Sequence, residues 1–108
     1  MTTPLTIDAL PDGSGLRVTG ELDASNAKQV ADRLERIDAV NGVTLDLTGL
    51  DFIDSAGMNV LIAVARDLSD GARMLLRVRP DGPVRRVIDL MGIAEALANV
   101  ALEEPDAG

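Results

Sequence analysis

The stretch "LDFIDSAGMNVL", Leu50–Leu61, sets an aspartate–serine pair between two apolar segments. Phe52-Ile53 has the character of a strand's end, and the run from Met58 to Leu68 that of a helix. Ser55 stands at the junction. Its position is open to three readings: a helix cap, a catalytic nucleophile, or a site where another enzyme writes a charge.

Working outward, Val43, Leu45 and Leu47 alternate with Thr44 and Asp46, which predicts a strand upstream of the junction. Leu5, Ile7 and Ala9 alternate before the turn-rich "PDGSG" (Pro11–Gly15), and Leu16, Val18 and Gly20 alternate after it. That is the pattern of a β-hairpin with a five-residue loop. After "GELD" (Gly20–Asp23) the period changes: Ala27, Val30, Ala31, Leu34 and Ile37 fall at helical spacing. Asp23, Ser25 and Asn26 are candidate caps for this helix, and Asn41-Gly42 is a natural stop.

Downstream, Ser55–Leu68 predicts a helix ended around Asp70-Gly71, and "RMLLRV" (Arg73–Val78) a strand. Pro83 suits a first helical turn, Val84, Val87, Ile88 and Met91 form an apolar stripe, and Gly92 ends it. Ile93–Leu102 opens as a short Ala-rich helical turn, with room for a last strand over Asn99–Leu102. The order β-β-α-β-α-β-α contains two successive β-α-β units. Crossover geometry then predicts an α/β fold: a small mixed sheet with helices mainly on one face. One domain over 1–108 is expected, ordered from about residue 3 to 102, with a frayed polar tail over 103–108.

Composition narrows the chemistry. Hydrophobic residues make up 46% of the 108, yet Phe52 is the only aromatic, so the core must be aliphatic. Cysteine and histidine are absent, which removes thiol nucleophiles, zinc sites of the usual kind and a Ser-His-Asp triad within the chain. The net charge of −8 repels a phosphate backbone, so direct nucleic-acid binding is not expected. No signal-peptide pattern opens the chain, and its longest apolar run, Val60–Ala65, is far too short to span a bilayer. A cytoplasmic protein without membrane insertion is the expectation.

Motifs for catalysis are missing. Lys28, the only lysine, follows no glycine loop, so there is no P-loop for a nucleotide. A nucleophile elbow needs glycine two residues before the serine, and that position is Ile53. Asp23, Asp46, Asp51 and Asp54 gather near strand ends, where Mg²⁺ or phospho-aspartate chemistry is conceivable. The plainer reading is that Asp46 and Asp51 are solvated and Asp54 caps a helix. No cofactor, no metal and no enzymatic activity are expected. Either Asp54 or Ser55 would serve as the cap. The helix that follows is apolar around much of its circumference, through Val60, Ala63 and Val64 beside its inward stripe. Such a helix is either covered by its neighbours or presents a surface to a partner.

"GELD" at Gly20–Asp23, "LDLTGLDFIDSAG" at Leu45–Gly57 and "VRRVIDLMGI" at Val84–Ile93 together resemble the STAS-domain anti-sigma factor antagonists of bacteria. The resemblance spans nearly the whole chain in the family's order. It implies a STAS domain that binds an anti-sigma factor with GHKL-type serine kinase activity, which frees a sigma factor. It also implies that the kinase phosphorylates the serine of Asp-Ser-x-Gly, here Ser55, to block binding, and that a PP2C-type phosphatase reverses it. Carried over residue by residue, the partner surface would comprise Asp23, Asp54, Ser55, Ala56, Gly57, Met58 and Asn59. Many family members carry Leu-Gly where this chain has Met58-Asn59, and Ser or Thr where it has Ala56. The resemblance leaves a second role open, that of a non-phosphorylated STAS subunit on the ATPase of a lipid ABC transporter.

Overall fold

The computed structural model describes residues 3–105. The hairpin forms as expected: β1 (Thr6–Ala9) pairs antiparallel with β2 (Gly15–Leu22). Then follow α1 (Ala27–Glu35), β3 (Val43–Asp46), β4 (Leu50–Ile53) and α2 (Ser55–Asp67). The chain finishes with β5 (Met74–Arg77), α3 (Pro83–Met91), α4 (Ile93–Ala96) and β6 (Val100–Glu103). The sheet is mixed and six-stranded, in the order β1-β2-β3-β5-β6, with β4 paired to β2.

Alternation sorts the two faces. Leu16, Leu45, Leu76 and Leu102 register across β2, β3, β5 and β6. With Val18, Met74 and Val100 they meet the buried residues of all four helices in one aliphatic core. The helices therefore lie on one face, as the β-α-β order predicts. Neighbouring α1 covers α2, taking Val60 and Val64 into partial burial against that core.

The other face carries charge. Asp8, Arg17, Asp46, Arg77 and Glu103 register side by side across five strands, alternating in sign. Asp46 sits at the centre, only 5% exposed, so the expectation of a solvated carboxylate is corrected here. Arg17 Nε reaches it at 3.3 Å and Arg77 Nη1 at 3.7 Å, while Arg77 Nε holds Glu103 at 3.0 Å. The Thr48 hydroxyl and amide donate to its other oxygen at 2.7 and 3.0 Å. Sequence alternation showed which residues leave the core face but not what they meet across strands.

Three boundaries differ from expectation. β4 is an additional strand, and its register explains why no alternation announced it. Gly20 pairs with Leu50 but Glu21 with Phe52, so Asp51 is an extra, bulged residue. The bulge lets Leu50 and Ile53, three apart, both face the core, which a plain strand forbids. Helix α1 ends at Glu35 rather than near Asn41-Gly42, tightening through Ile37 N–H to Leu34 O at 3.1 Å. Gly42 serves the next strand instead: at φ +113° its missing Cβ would lie 2.4 Å from the Arg73 carbonyl oxygen. At the C-terminus, Glu103 belongs to β6 and not to a frayed tail, its carbonyl accepting from Val78 N–H at 2.9 Å. Residues 106–108 of that tail lie outside the described residues.

Asp46 makes stability depend on pH. Burial pushes its carboxyl up, but the Thr48 hydroxyl and amide and the Arg17 guanidinium outweigh this and hold it below the usual range. A depressed folded-state pKa gives stability that is complete above the unfolded value of about 3.9 and is lost as pH falls through the folded one. Asp46→Asn is expected to cost about 1–2 kcal/mol at neutral pH, because Thr48 and the arginines lose a charged acceptor. Urea denaturation at pH 7 and pH 3 checks it: the gap between wild type and variant should narrow at the lower pH.

Candidate functional site

The site is assembled where β4 hands over to α2. Asp54 is extended, at φ −103° and ψ 179°, and its carboxylate accepts the Gly57 N–H at 2.8 Å. Its backbone carbonyl accepts the Met58 N–H at 3.0 Å, the first bond of the helix. Asp54 is therefore the cap, satisfying first-turn amides that would otherwise lack a partner. Ser55, one residue on, is exposed, and its hydroxyl has no hydrogen-bond partner among the described residues.

A second loop is fastened to this turn. The Asp54 N–H donates to the Leu22 carbonyl at 3.2 Å. A Cβ at Gly57 would lie 3.0 Å from the Leu22 Cγ and carbonyl oxygen and 3.2 Å from Ile53 Cγ1. Glycine is what lets the first turn of α2 sit against the end of β2. Asp23, the next residue along, is thereby brought to the same edge of the molecule as Ser55.

Asn26 holds the Asp23 loop in shape without capping α1 through its side chain. Its Oδ1 accepts the Asp23 N–H at 3.0 Å, and its Nδ2 donates to the Glu21 carbonyl at 2.9 Å. Asp23 in turn accepts the Ser25 amide at 2.9 Å and hydroxyl at 2.6 Å. Those two bonds, the hydroxyl's first, hold its carboxyl below the ordinary range.

The residues expected at the partner surface divide by depth. Ser55 and Asn59 are exposed and one helical turn apart, and Asp23, Asp54 and Ala56 are half-buried. Gly57 and Met58 are buried, Met58 completely, and lie beneath the exposed residues of the first turn. Phe52 was not among the expected site residues, yet it is 44% exposed two residues before the cap. A signal existed: an otherwise aliphatic core has no evident place for the chain's single aromatic.

Asp46 is committed to two arginines and Thr48, and Asp54 to the helix amide. Among the described residues no three carboxylates converge into a group able to hold a metal ion. Nor is any helix there long and apolar enough to cross a membrane.

A β-hairpin leading into parallel strands, helices on one face, and a capped helix presenting a free serine define an α/β domain with its distinctive edge at α2. The chain belongs to the STAS domain family, whose model matches residues 7–107. Its fold is similar to the crystal structure of an anti-sigma factor antagonist from Mycobacterium paratuberculosis. That pair shares 22% identity over 98% of this chain and 88% of the other, with a TM-score of 0.77. It is also similar to the anti-sigma factor antagonist SpoIIAA in its unphosphorylated form. There the identity is 19%, over 97% of this chain and 90% of the other, with a TM-score of 0.62. At such identities the likeness is one of fold.

Removing the cap separates its role from that of the serine. Asp54→Ala is expected to cost roughly 1 kcal/mol, a fall in melting temperature of about 4–8 °C for a domain of this size. Ser55→Ala should leave the melting temperature within about 2 °C of wild type, since its hydroxyl has no hydrogen bond to lose among the described residues. Thermal denaturation followed by circular dichroism distinguishes the two.

Proposed function

We propose that this chain is an anti-sigma factor antagonist that acts by binding and not by catalysis. In its unphosphorylated form it binds an anti-sigma factor that is also a GHKL-type serine kinase, and the bound sigma factor is released. Phosphorylation of Ser55 blocks that binding, and a PP2C-type phosphatase restores it. The cytoplasm is where these partners meet.

The observation that supports this reading is the division of labour between two adjacent residues. Asp54 already fills the capping position. Ser55 is left exposed at the first helical residue, reachable by a kinase and not needed by the fold. A phosphoryl group there adds about −1.5 to −2 charges at pH 7. The fold tolerates it, because first-turn amides and the helix dipole favour an anion at that end. The partner does not. Asp23, Asp51 and Asp54 already make the edge acidic, and a dianion adds bulk, desolvation cost and like charge against a surface matched to a neutral hydroxyl. A penalty of about 1.4 kcal/mol is already tenfold in affinity. Among the exposed residues, Asn59 lies on the same helical stripe as Ser55 and is the natural determinant of which kinase fits.

The test uses purified chain, ATP and the GHKL-type kinases of the same genome. One phosphoryl group should be incorporated, mapping to Ser55 by mass spectrometry and absent from Ser55→Ala. Ser55→Asp should bind the kinase at least about tenfold more weakly than wild type, with an unchanged circular dichroism spectrum. Equal affinity for Ser55→Asp and wild type defeats the switch.

A further inference from the structure

We propose that Phe52 is the apolar anchor of this interface, and that the partner meets it with an apolar socket rimmed by arginine or lysine. This rests on the reading above and adds the chemistry of the partner's surface. Three observations carry it. Phe52 is the chain's only aromatic, yet it is 44% exposed while aliphatic residues complete the core. The bulge at Asp51 is what turns it out: with Leu50 and Ile53 both directed inward, Asp51 and Phe52 are left on the outer side together. The Phe52 Cα also lies three residues from that of Ser55, hence within about 11 Å of it.

Its neighbours in chain and in register are acidic, while α3, which packs beside β4, adds Arg85, paired to Asp89, and Arg86. Glu21 is registered directly across from Phe52, Asp51 adjoins it, and Asp54 follows it into α2. Asp23 is brought alongside through the bond between Asp54 and Leu22. No lysine or arginine occurs from Gly49 to Asn59 or from Gly20 to Ala27. An aromatic ring flanked by carboxylates is the counterpart of a hydrophobic pocket flanked by cations. Aromatic residues at the centre of an interface, surrounded by a polar rim, carry a disproportionate share of binding energy. The acidic rim sets encounter rate and partner choice. Placed beside Ser55, the same socket is where an added phosphate would disturb docking most.

The experiment measures affinity for the kinase that phosphorylates Ser55, by calorimetry on the full chain at two salt concentrations. Phe52→Ala is expected to weaken binding at least about tenfold, and Phe52→Leu less, since it keeps an apolar contact. Asp51→Lys tests the rim without touching the core: affinity should fall several-fold and its salt dependence should shrink. A folded Phe52→Ala that binds within about twofold of wild type overturns the anchor. Should that variant fail to fold, an unchanged affinity and salt slope for Asp51→Lys overturns the proposed surface. Sedimentation showing a dimer that Phe52→Ala abolishes assigns the ring to a second copy instead, and also overturns it. If Ser55→Asp loses binding while both variants here retain it, the anchor is wrong and the phosphorylation switch stands. A wild-type chain that binds none of the kinases overturns both.

Discussion

Leu22 is the point on which the site's geometry depends. Its side chain is fully buried, its carbonyl accepts from Asp54, and both crowd the place where a Cβ at Gly57 would stand. One residue of β2 therefore fixes how closely α2 approaches the sheet and where the loop carrying Asp23 lies. The carboxylate cap at Asp54 and the hydrogen bonds of Asn26 then hold the two sides of the joint. Everything exposed at this edge is positioned by groups that are not.

The opposite face follows a different principle. No helix among the described residues covers it, and its row of alternating charge keeps it from being a contiguous apolar patch. The cost of drawing Asp46 out of water is met locally by Thr48 and shared between Arg17 and Arg77. Because each arginine is itself partly solvated, the row behaves as a surface network around one buried member. Its register depends on β2, β3, β5 and β6 staying in step, so the same hydrogen-bond ladders that align the leucines on the core face align the charges here.

Much of this was legible in the sequence where periodicity and local chemistry agree. The stripe of α2, the Asp54 cap, the Pro83 start and the Gly92 stop of α3 all rest on interactions within one turn, which a single segment encodes. What escaped depends on partners distant in sequence. The strand over Leu50–Ile53 breaks the period of two at Asp51, and only its pairing with β2 makes it a strand. Asn41-Gly42 has the chemistry of a helix end, but the close passage of Arg73 decides what Gly42 is for. Asp46 alternates like a solvent-facing residue, and its burial comes from arginines on two other strands. Met58 divides the two readings: the resemblance carries it to the partner surface, whereas helical spacing places it on the inward stripe of α2, and the packing of α2 onto the sheet buries it completely.

The separation of Asp54 from Ser55 bears on the proposed charge switch. Had the serine been the cap, modifying it would have removed a hydrogen bond from the helix at the moment it added a charge, and stability and signalling would have been coupled. With the carboxylate in the capping role, the hydroxyl is free to change without a bond of the fold being spent. The price falls on the electrostatics, because a phosphate one residue from Asp54 brings two anionic groups to the same first-turn amides. Those amides are a shared and limited supply of positive potential, confined to the first turn of the helix. In the proposed switch a doubly negative group at Ser55 therefore competes with Asp54 for them. The modified edge then differs from the unmodified one in how its amides are shared as well as in its net charge.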